Sequence, residues 1–381
     1  MIHLAKEDIK HTLGKFVATA MGVGMLLGIV LIMVGVYRGM IADAEVILND
    51  LNVDLWIVQE DTLGPFAEAS KIHEDLKYTI KSINAIDKSE AITFQNLQLP
   101  LAHKKLAVFA IGYDIYGKIN PINKERLIAG RVLKNEHYEI VVSDKTLYKL
   151  GDKIKLGRNF YTVVGITHGT VASGGDPLVY VSLKDAQELQ FTYSNKRIET
   201  DRARGILSKN SDLVNAIVAT LKPGYINEAV AKDIRKWLHK SVYTREQQKA
   251  VLTRYVVEKA SKQIGLFTVI LVGVATIIIA LIIYTMTLEK MKEISIMKLI
   301  GLPNSLIVKM IVEETMLLGF FAFIFGNIFS HLIYTKFPKN VLLQLQDAGV
   351  LFGIVMLASF FASFIGVKKV INADPTAAIG G

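Results

Sequence analysis

The residues GYDIYGKI at 112–119 come within one residue of the loop pattern that cradles nucleotide phosphates. That pattern, G-x-x-x-x-G-K-[S/T], needs a hydroxyl side chain after its lysine to hold Mg²⁺ and a helix N-terminus to receive the phosphates. Here Ile119 follows Lys118, and Pro121 interrupts any helix beyond it. The stretch therefore predicts no nucleotide site, and we expect this chain to bind no ATP itself.

The sequence also lacks the motifs that are typical of other catalytic and metal sites. The chain has no cysteine, which excludes thiolate metal sites, and its eight histidines form no H-E-x-x-H motif. No G-x-S-x-G nucleophile turn occurs, although the sequence leaves open a Ser-His-Asp arrangement assembled by the fold. Met21 and Met25, one helical turn apart, are interpreted as packing residues rather than ligands. We therefore expect no catalytic residue, no metal and no bound cofactor.

Hydrophobic residues dominate the composition and are concentrated in four runs. They make up 51% of the 381 residues, beside 21% charged residues, and the mean hydropathy is +0.36. A run of about 20 residues crosses a bilayer as a helix, because each residue adds about 1.5 Å. The first run lacks a signal-peptide cleavage site and is interpreted as a retained span. The predicted transmembrane helices are 16–37, 264–288, 311–334 and 348–367.

Lysines in the short segments between spans predict the orientation. Cytoplasmic segments of membrane proteins carry the excess of Lys and Arg. We expect the N-terminus 1–15, the segment 289–310 and the tail 368–381 to be cytoplasmic, in the inner membrane of a bacterium. The region 38–263 then lies outside. The net charge of +9 follows from this topology, so nucleic acid is not an expected partner.

The region 38–263 is long enough to form its own core, and it mixes helix and strand patterns. The stretch KIHEDLKYTIKSI, starting at Lys71, predicts a helix with one apolar stripe. Four short β runs between Tyr138 and Ser182, separated by Gly and Asp turns, predict a compact antiparallel unit. Helical patterns at both ends of the region predict two stalks that continue into spans one and two. The predicted fold class is a four-span α-helical membrane protein with a large mixed α/β extracytoplasmic domain.

The segment between spans two and three predicts a short helix that ends at GLPN, where Gly301 suits a left-handed cap and Pro303 cannot continue the helix. Asn304 or Ser305 is the expected N-cap of span three. Apolar residues of this short helix point in all directions instead of along one stripe. A helix with this much apolar surface at a membrane face predicts a groove on a partner protein.

This stretch, KEISIMKLIGLPNSLIVKMIVEETMLLGFF, resembles the cytoplasmic signature of FtsX-like ABC-transporter permeases of the macrolide-exporter and lipoprotein-release type. Glu314 matches the glutamate that this family carries in the third span. Segments such as AGRVL, EIVVSD and LGDKIKLG resemble the family's outer domain, and the resemblance extends over the whole chain. The other matching positions are Lys292, Glu293, Ile294, Ile296, Met297, Lys298, Ile300 and Gly301.

The resemblance implies a permease subunit of an ATP-driven exporter that works by mechanotransmission. In this mechanism, closure of an ATPase moves the cytoplasmic segment 289–310 and, through the stalks, the outer domain. Some relatives carry a fused ATPase domain that is missing here, so the resemblance implies a separate ATPase subunit that binds the ATP and Mg²⁺. The resemblance leaves open whether a periplasmic adaptor and an outer-membrane channel take part. The ATPase-coupling residues are then expected to be Lys292, Glu293, Ile294, Ile296, Met297, Lys298, Leu299 and Gly301.

Two other functions fit the same span arrangement. An FtsX-like signalling subunit would activate a cell-wall hydrolase and would transport nothing. A receptor or sensor without an ATPase would have no use for the KEISIMKLIG segment. The sequence does not identify the substrate.

Small residues at four-residue spacing predict close helix packing in lipid, and with only four spans they suggest a homodimer. These residues are Gly24 and Gly28 in span one and Ala358, Ala362 and Gly366 in span four. Glu314 and His331 are predicted to be polar groups at the membrane edges.

Overall fold

The computed structural model describes residues 9, 13–101, 104–194, 212–337 and 339–371. Most of the predicted N-terminal segment 1–15 and tail 368–381 lies outside these residues. The chain divides into two compact units. We call Met40–Lys259 the sheet unit, and we call the remainder, up to Gly39 and from Ala260 onward, the helical unit.

Nine α-helices occur among the described residues. They are α1 Leu13–Leu51, α2 Leu76–Lys81, α3 Leu183–Ser194, α4 Asn227–Leu238, α5 Arg245–Val251, α6 Glu258–Glu289, α7 Met291–Leu299, α8 Asn304–Ile333 and α9 Leu345–Ile371. A π-helical segment, Leu252–Val257, joins α5 to α6.

Twelve β-strands occur in the same part of the chain. They are β1 Leu55–Val58, β2 Ile72–His73, β3 Ile86–Leu101, β4 Lys104–Tyr113, β5 Leu127–Gly130, β6 Glu139–Ser143, β7 Lys153–Leu156, β8 Asn159–Thr167, β9 Leu178–Ser182, β10 Leu213–Val214, β11 Ala216–Leu221 and β12 Ser241–Thr244.

Four of the helices, α1, α6, α8 and α9, are long and apolar enough to cross a membrane. Their inward faces meet in one apolar cluster that also includes Ile294 of α7. The predicted fold class is confirmed, because these four helices accompany a mixed α/β domain that lies in the sequence between the first and the second of them. The helices extend beyond the predicted spans: α1 begins at Leu13 and continues to Leu51 without a break.

The sheet unit is built on one mixed sheet. Its strand order is β12-β1-β11-β3-β4-β9-β6-β8-β5, with β7 paired to β8, while β10 and β2 form a separate pair. The antiparallel arrangement expected for the four runs between Tyr138 and Ser182 is wrong for one pair, because β6 runs parallel to β8. Strand β4, which lies outside those runs, is parallel to β9. In each case other strands intervene in the chain, and such a crossover allows parallel pairing.

The helix predicted from Lys71 is only partly present. Ile72–His73 forms strand β2 and pairs with Leu213–Val214, and the helix α2 begins only at Leu76. A partner strand some 140 residues away is invisible to a local apolar pattern, so the tertiary pairing overrides the helical periodicity.

Strand β6 begins with a buried carboxylate that organises the preceding loop. Arg131 donates two hydrogen bonds to the Glu139 side chain, at 2.6 and 2.9 Å, and the backbone N–H groups of Lys134 and Asn135 donate to it as well. The Arg131 hydrogen bonds are the main reason why the pKa of Glu139 is lowered from 4.5 to about 2. The ionised form therefore stabilises the fold.

We expect the sheet unit to lose stability as the pH falls from about 4.5 towards 2. Because the pKa of Glu139 is lower in the folded state, its contribution is present above pH 4.5 and is lost as the pH falls through about 2. Glu139→Gln should remove about 2 kcal/mol at pH 7 and flatten this pH dependence. Fluorescence of the buried Trp56 during denaturation of the full chain in detergent measures the effect. Glu60→Gln at an exposed site is the control, and an equal loss in both variants would contradict the assignment.

Candidate functional site

The loop at 112–119 does not have the structure of a phosphate-binding loop. Gly112 is still inside strand β4, and the Lys118 backbone N–H donates to the carboxylate of Glu90 at 2.9 Å. A Cβ placed on Gly117 would lie 2.8 Å from the carboxyl carbon of Glu90. A carboxylate thus occupies the position where a phosphate would have to bind, and its charge repels one.

The segment after α6 forms a short helix with a defined end. Helix α7 begins directly after Lys290, and the Leu302 N–H donates to the Met297 carbonyl oxygen at 3.0 Å. This bond closes a Schellman turn, which requires the left-handed φ of +95° that Gly301 adopts. Pro303, rather than Asn304 or Ser305, is the N-cap of α8, and no side chain caps that end. We call 290–303 the coupling segment.

Apolar residues on α7 fall into two groups that the sequence did not separate. Ile294 is buried, and Met297 packs against the core of the helical unit. Ile296, Leu299 and Ile300 are 47%, 49% and 74% exposed. Met297 therefore belongs to the internal packing, and the exposed apolar patch of the coupling segment consists of Ile296, Leu299 and Ile300.

Charged residues of the coupling segment surround this patch. Lys292 and Glu293 are exposed. The Lys298 ammonium donates to the Ile371 carbonyl oxygen at the end of α9, at 3.4 Å. The patch is thus apolar at its centre and polar at its edge, the usual anatomy of a protein–protein interface.

A buried ion pair connects the coupling segment to α8. The Lys290 ammonium lies 2.7 Å from a carboxylate oxygen of Glu314, and the two side chains are only 10% and 6% exposed. Glu314 was predicted as a polar group at the membrane edge; it is buried inside the helical unit, and its depth in the membrane stays a prediction. Lys290 is one of the lysines of 289–310 from which the orientation was predicted. The available sequence signal was the pair Glu313 and Glu314 in an apolar helix, because a buried carboxylate there needs a cationic partner.

Small residues bring the spans together inside one chain. A Cβ on Gly24 would lie 2.7 Å from the Ala322 carbonyl oxygen, and one on Gly28 would lie 2.8 Å from that of Gly326. The face of α1 that was assigned to a dimer is therefore occupied by α8 of the same chain.

The small residues predicted for close packing in span four also pack inside the helical unit. Ala362 is buried in the core of the helical unit, and Ala358 is half-buried. A Cβ on Gly366 would lie within 3.3 Å of Ile283 and Thr287 on α6 and of Ile311 on α8.

We expect Gly24→Leu and Gly28→Leu to destabilise the helical unit itself. The added side chains meet backbone atoms of α8, which cannot move aside cheaply, so each change should cost about 1–3 kcal/mol or more. Gly22→Leu on the same helix is the matched control, because a Cβ there meets nothing within 4 Å. Thermal denaturation in detergent compares the three variants. Equal stability of Gly24→Leu and Gly22→Leu would contradict the packing described here.

His331 lies near the C-terminal end of α8, and its position at a membrane edge stays a prediction. Its Nδ1 donates to the Asn327 carbonyl oxygen at 2.9 Å, and its ring is exposed. In the part of the chain that the structure describes, His331 belongs to no group of three or more His, Asp and Glu side chains that could hold a metal.

Two protein-family models together match almost the whole chain. Residues 16–237 match the model of the MacB-like periplasmic core domain, and residues 265–375 match that of the FtsX-like permease C-terminal domain. The boundary between the two matches falls near the start of the second membrane-spanning helix.

Full-length relatives are ABC transporter permeases. One from Mycobacterium tuberculosis is 22% identical over 385 residues and covers 100% of both chains. A second from Staphylococcus haemolyticus, HrtB, named for a hemin transport system, is 24% identical and covers 100% of this chain and 99% of its own. Among solved structures, the periplasmic region of MacB from Actinobacillus actinomycetemcomitans aligns with 53% of this chain and 93% of its own, at 9% identity and a TM-score of 0.36.

Proposed function

Because this chain belongs to the MacB-like and FtsX-like permeases of ABC transporters, we propose that it couples ATP hydrolysis on a partner subunit to movement of an extracytoplasmic domain. The family predicted from the coupling segment is confirmed by both family models. ABC permeases work with an ATPase subunit, so a partner ATPase is implied. Mechanotransmission, export and a homodimer are the parts of this function that we propose.

The exposed apolar patch of the coupling segment is the observation that carries this proposal. Three aliphatic side chains on a helix and its cap, 47% to 74% exposed, give a groove on the ATPase a surface to bury. The ends of the segment are fixed by Lys290 and by the Gly301 turn. A partner that moves this segment therefore acts on a helix held in a defined orientation, and its motion reaches α6 and α8 directly.

Transmission through the membrane would use the continuous helices. Helix α1 runs without a break from Leu13 to Leu51, so its last residues already belong to the sheet unit. Helix α6 reaches the coupling segment, and the π-helical segment joins it to α5. In this proposal, movement of the coupling segment is passed to the sheet unit through chain continuity.

Copurification tests the proposed function. The chain, purified from its native membrane, should bring down an ABC ATPase, and ATP should change the reactivity of cysteines placed in the sheet unit. Hemin is one substrate to add, since a full-length relative is named for its transport. An exporter's substrate should stimulate ATP hydrolysis, whereas a hydrolase-activating subunit should copurify a cell-wall hydrolase and respond to no substrate. If no ATPase copurifies, the result would favour a receptor or sensor that works without an ATPase.

Orientation in a bacterial cytoplasmic membrane, with both termini inside, is tested by thiol labelling. The chain lacks cysteine, so a cysteine at Lys118 or at Lys292, both exposed, is the only thiol present. We expect a membrane-impermeant maleimide to label the cysteine at position 118 in intact or outer-membrane-permeabilised cells and to leave the one at position 292 unlabelled. The reverse pattern would place the sheet unit in the cytoplasm.

A further inference from the structure

Two side chains one turn apart on α8, Asn327 and His331, carry hydrogen-bonding groups that no described residue satisfies. A carbonyl oxygen only accepts, so the His331 Nδ1 donates to that of Asn327 and the ring's Nε2 is left for another partner. The Asn327 side-chain amide is hydrogen-bonded to none of the residues that the structure describes. Unsatisfied polar groups in a membrane span are costly, and they mark functional sites.

Both residues line two adjoining spaces. One is a cavity of about 220 Å³ between α1, α8 and the start of α9, and its wall includes Leu31 and Gly35. The other is an open depression of about 490 Å³ along α8. Its remaining wall is formed by Phe323, Ile324, Ile328 and Leu332. The two polar side chains thus lie where the apolar depression meets the cavity.

The charges beside this site are basic. Lys336 and Lys339 follow His331 within eight residues, are exposed, and form no ion pair with any described residue. Asp347 also lines the cavity, but Arg38 compensates its charge through two hydrogen bonds of 2.6 and 2.7 Å. Two free lysines are unexpected in a short loop on the proposed outer side, since such loops usually lack them.

We propose that Asn327, His331 and the two lysines form a binding site for an amphiphile with a carboxylate head and a long apolar body. The carboxylate accepts hydrogen bonds from the Asn327 amide and from the His331 Nε2 when the ring is protonated, and it attracts the lysines. The apolar body lies along the depression on α8. The statement that such an amphiphile is the transported substrate rests on the proposed function. Its binding to this site does not.

Photolabelling of the purified full chain in phosphatidylcholine nanodiscs tests the site. The probe is palmitic acid carrying a diazirine, and the comparison is the alcohol of the same chain, which keeps the apolar body and lacks the charge. Peptide mapping should find the acid on 323–332 about tenfold more than the alcohol, the effect of one charge-assisted hydrogen bond. The near-isosteric pair Asn327→Leu with His331→Phe should abolish this preference.

Two further variants keep the test decisive. Lys336→Gln with Lys339→Gln changes only exposed side chains and should reduce the acid preference at least threefold. Thr285→Val on α6, whose hydroxyl bonds its own helix, is the control and should leave the preference unchanged. Equal labelling by acid and alcohol would show ordinary lipid at this face and overturn the proposal. An acid preference that survives in the Asn327 and His331 double variant would overturn it as well.

Copurification separates this inference from the proposed function. If the wild-type chain brings down its ATPase but shows no acid preference, only the carboxylate site is wrong. If the acid labels 323–332 selectively and no ATPase copurifies, the site stands and the proposed coupling function falls.

Discussion

Ile296→Asp combined with Leu299→Asp should abolish binding of the partner ATPase while the membrane protein still folds. Both side chains are about half exposed on α7, so the change removes two of the three side chains of the exposed patch without opening the core. Burial of one such side chain contributes about 1.5–3 kcal/mol, so loss of two should weaken docking on the order of a hundredfold or more. Copurification and ATP hydrolysis by the complex in nanodiscs measure the effect.

Matched variants separate docking from folding. Met297→Asp should instead destabilise the helical unit, because Met297 packs against its core. Lys368→Asp changes the charge of an exposed residue outside the patch and should leave ATPase binding unchanged. If the Ile296 and Leu299 double variant binds ATPase with normal affinity, the patch does not dock the ATPase, and the proposed coupling mechanism is wrong.

Reversing the charge of either Lys290 or Glu314 should destabilise the helical unit more than any other single substitution described here. Lys290→Glu would leave two carboxylates facing each other in a buried site, and Glu314→Lys would leave two ammonium groups there. Breaking a buried pair typically costs about 3–5 kcal/mol. We expect either variant to lower the denaturation temperature and the yield in detergent. The double reversal, Lys290→Glu with Glu314→Lys, should restore most of both.

An apolar replacement distinguishes stability from coupling. Lys290→Met with Glu314→Leu removes both charges and roughly keeps the volume, which often leaves stability unchanged. If the pair serves to hold the coupling segment in one orientation, this variant should fold and bind the ATPase but uncouple ATP hydrolysis from transport. Full transport by the apolar double variant would show that the pair is dispensable for coupling.

These two experiments address different steps of one mechanism. In the proposed mechanism, the exposed patch determines whether the ATPase attaches, and the buried pair determines whether attachment moves α8. The first change should remove the complex, whereas the apolar double change should retain it without transport.

The sequence by itself determined the spans, the fold class and the family. A run of some 20 apolar residues has to be a helix in a bilayer, since no water there can satisfy its backbone. The short β runs between Tyr138 and Ser182 were also predictable, because turn residues separate them. The end of α7 was readable from Gly301 and Pro303, whose backbone preferences are local.

Only the tertiary structure decided which residues meet across the fold. The pairing of Lys290 with Glu314 joins groups 24 residues apart across a turn, and nothing local indicates that either is buried. The sequence likewise cannot tell whether Gly24 faces another span of its own chain or a second copy, since close packing requires a small residue in both cases. Strand direction depends on the path of the intervening chain, so the direction of β6 relative to β8 was predicted wrongly. Helix α7 carries apolar residues on every face, so periodicity could not distinguish the packed Met297 from the exposed Ile296. The neighbouring helices make that distinction because they cover only one side of α7.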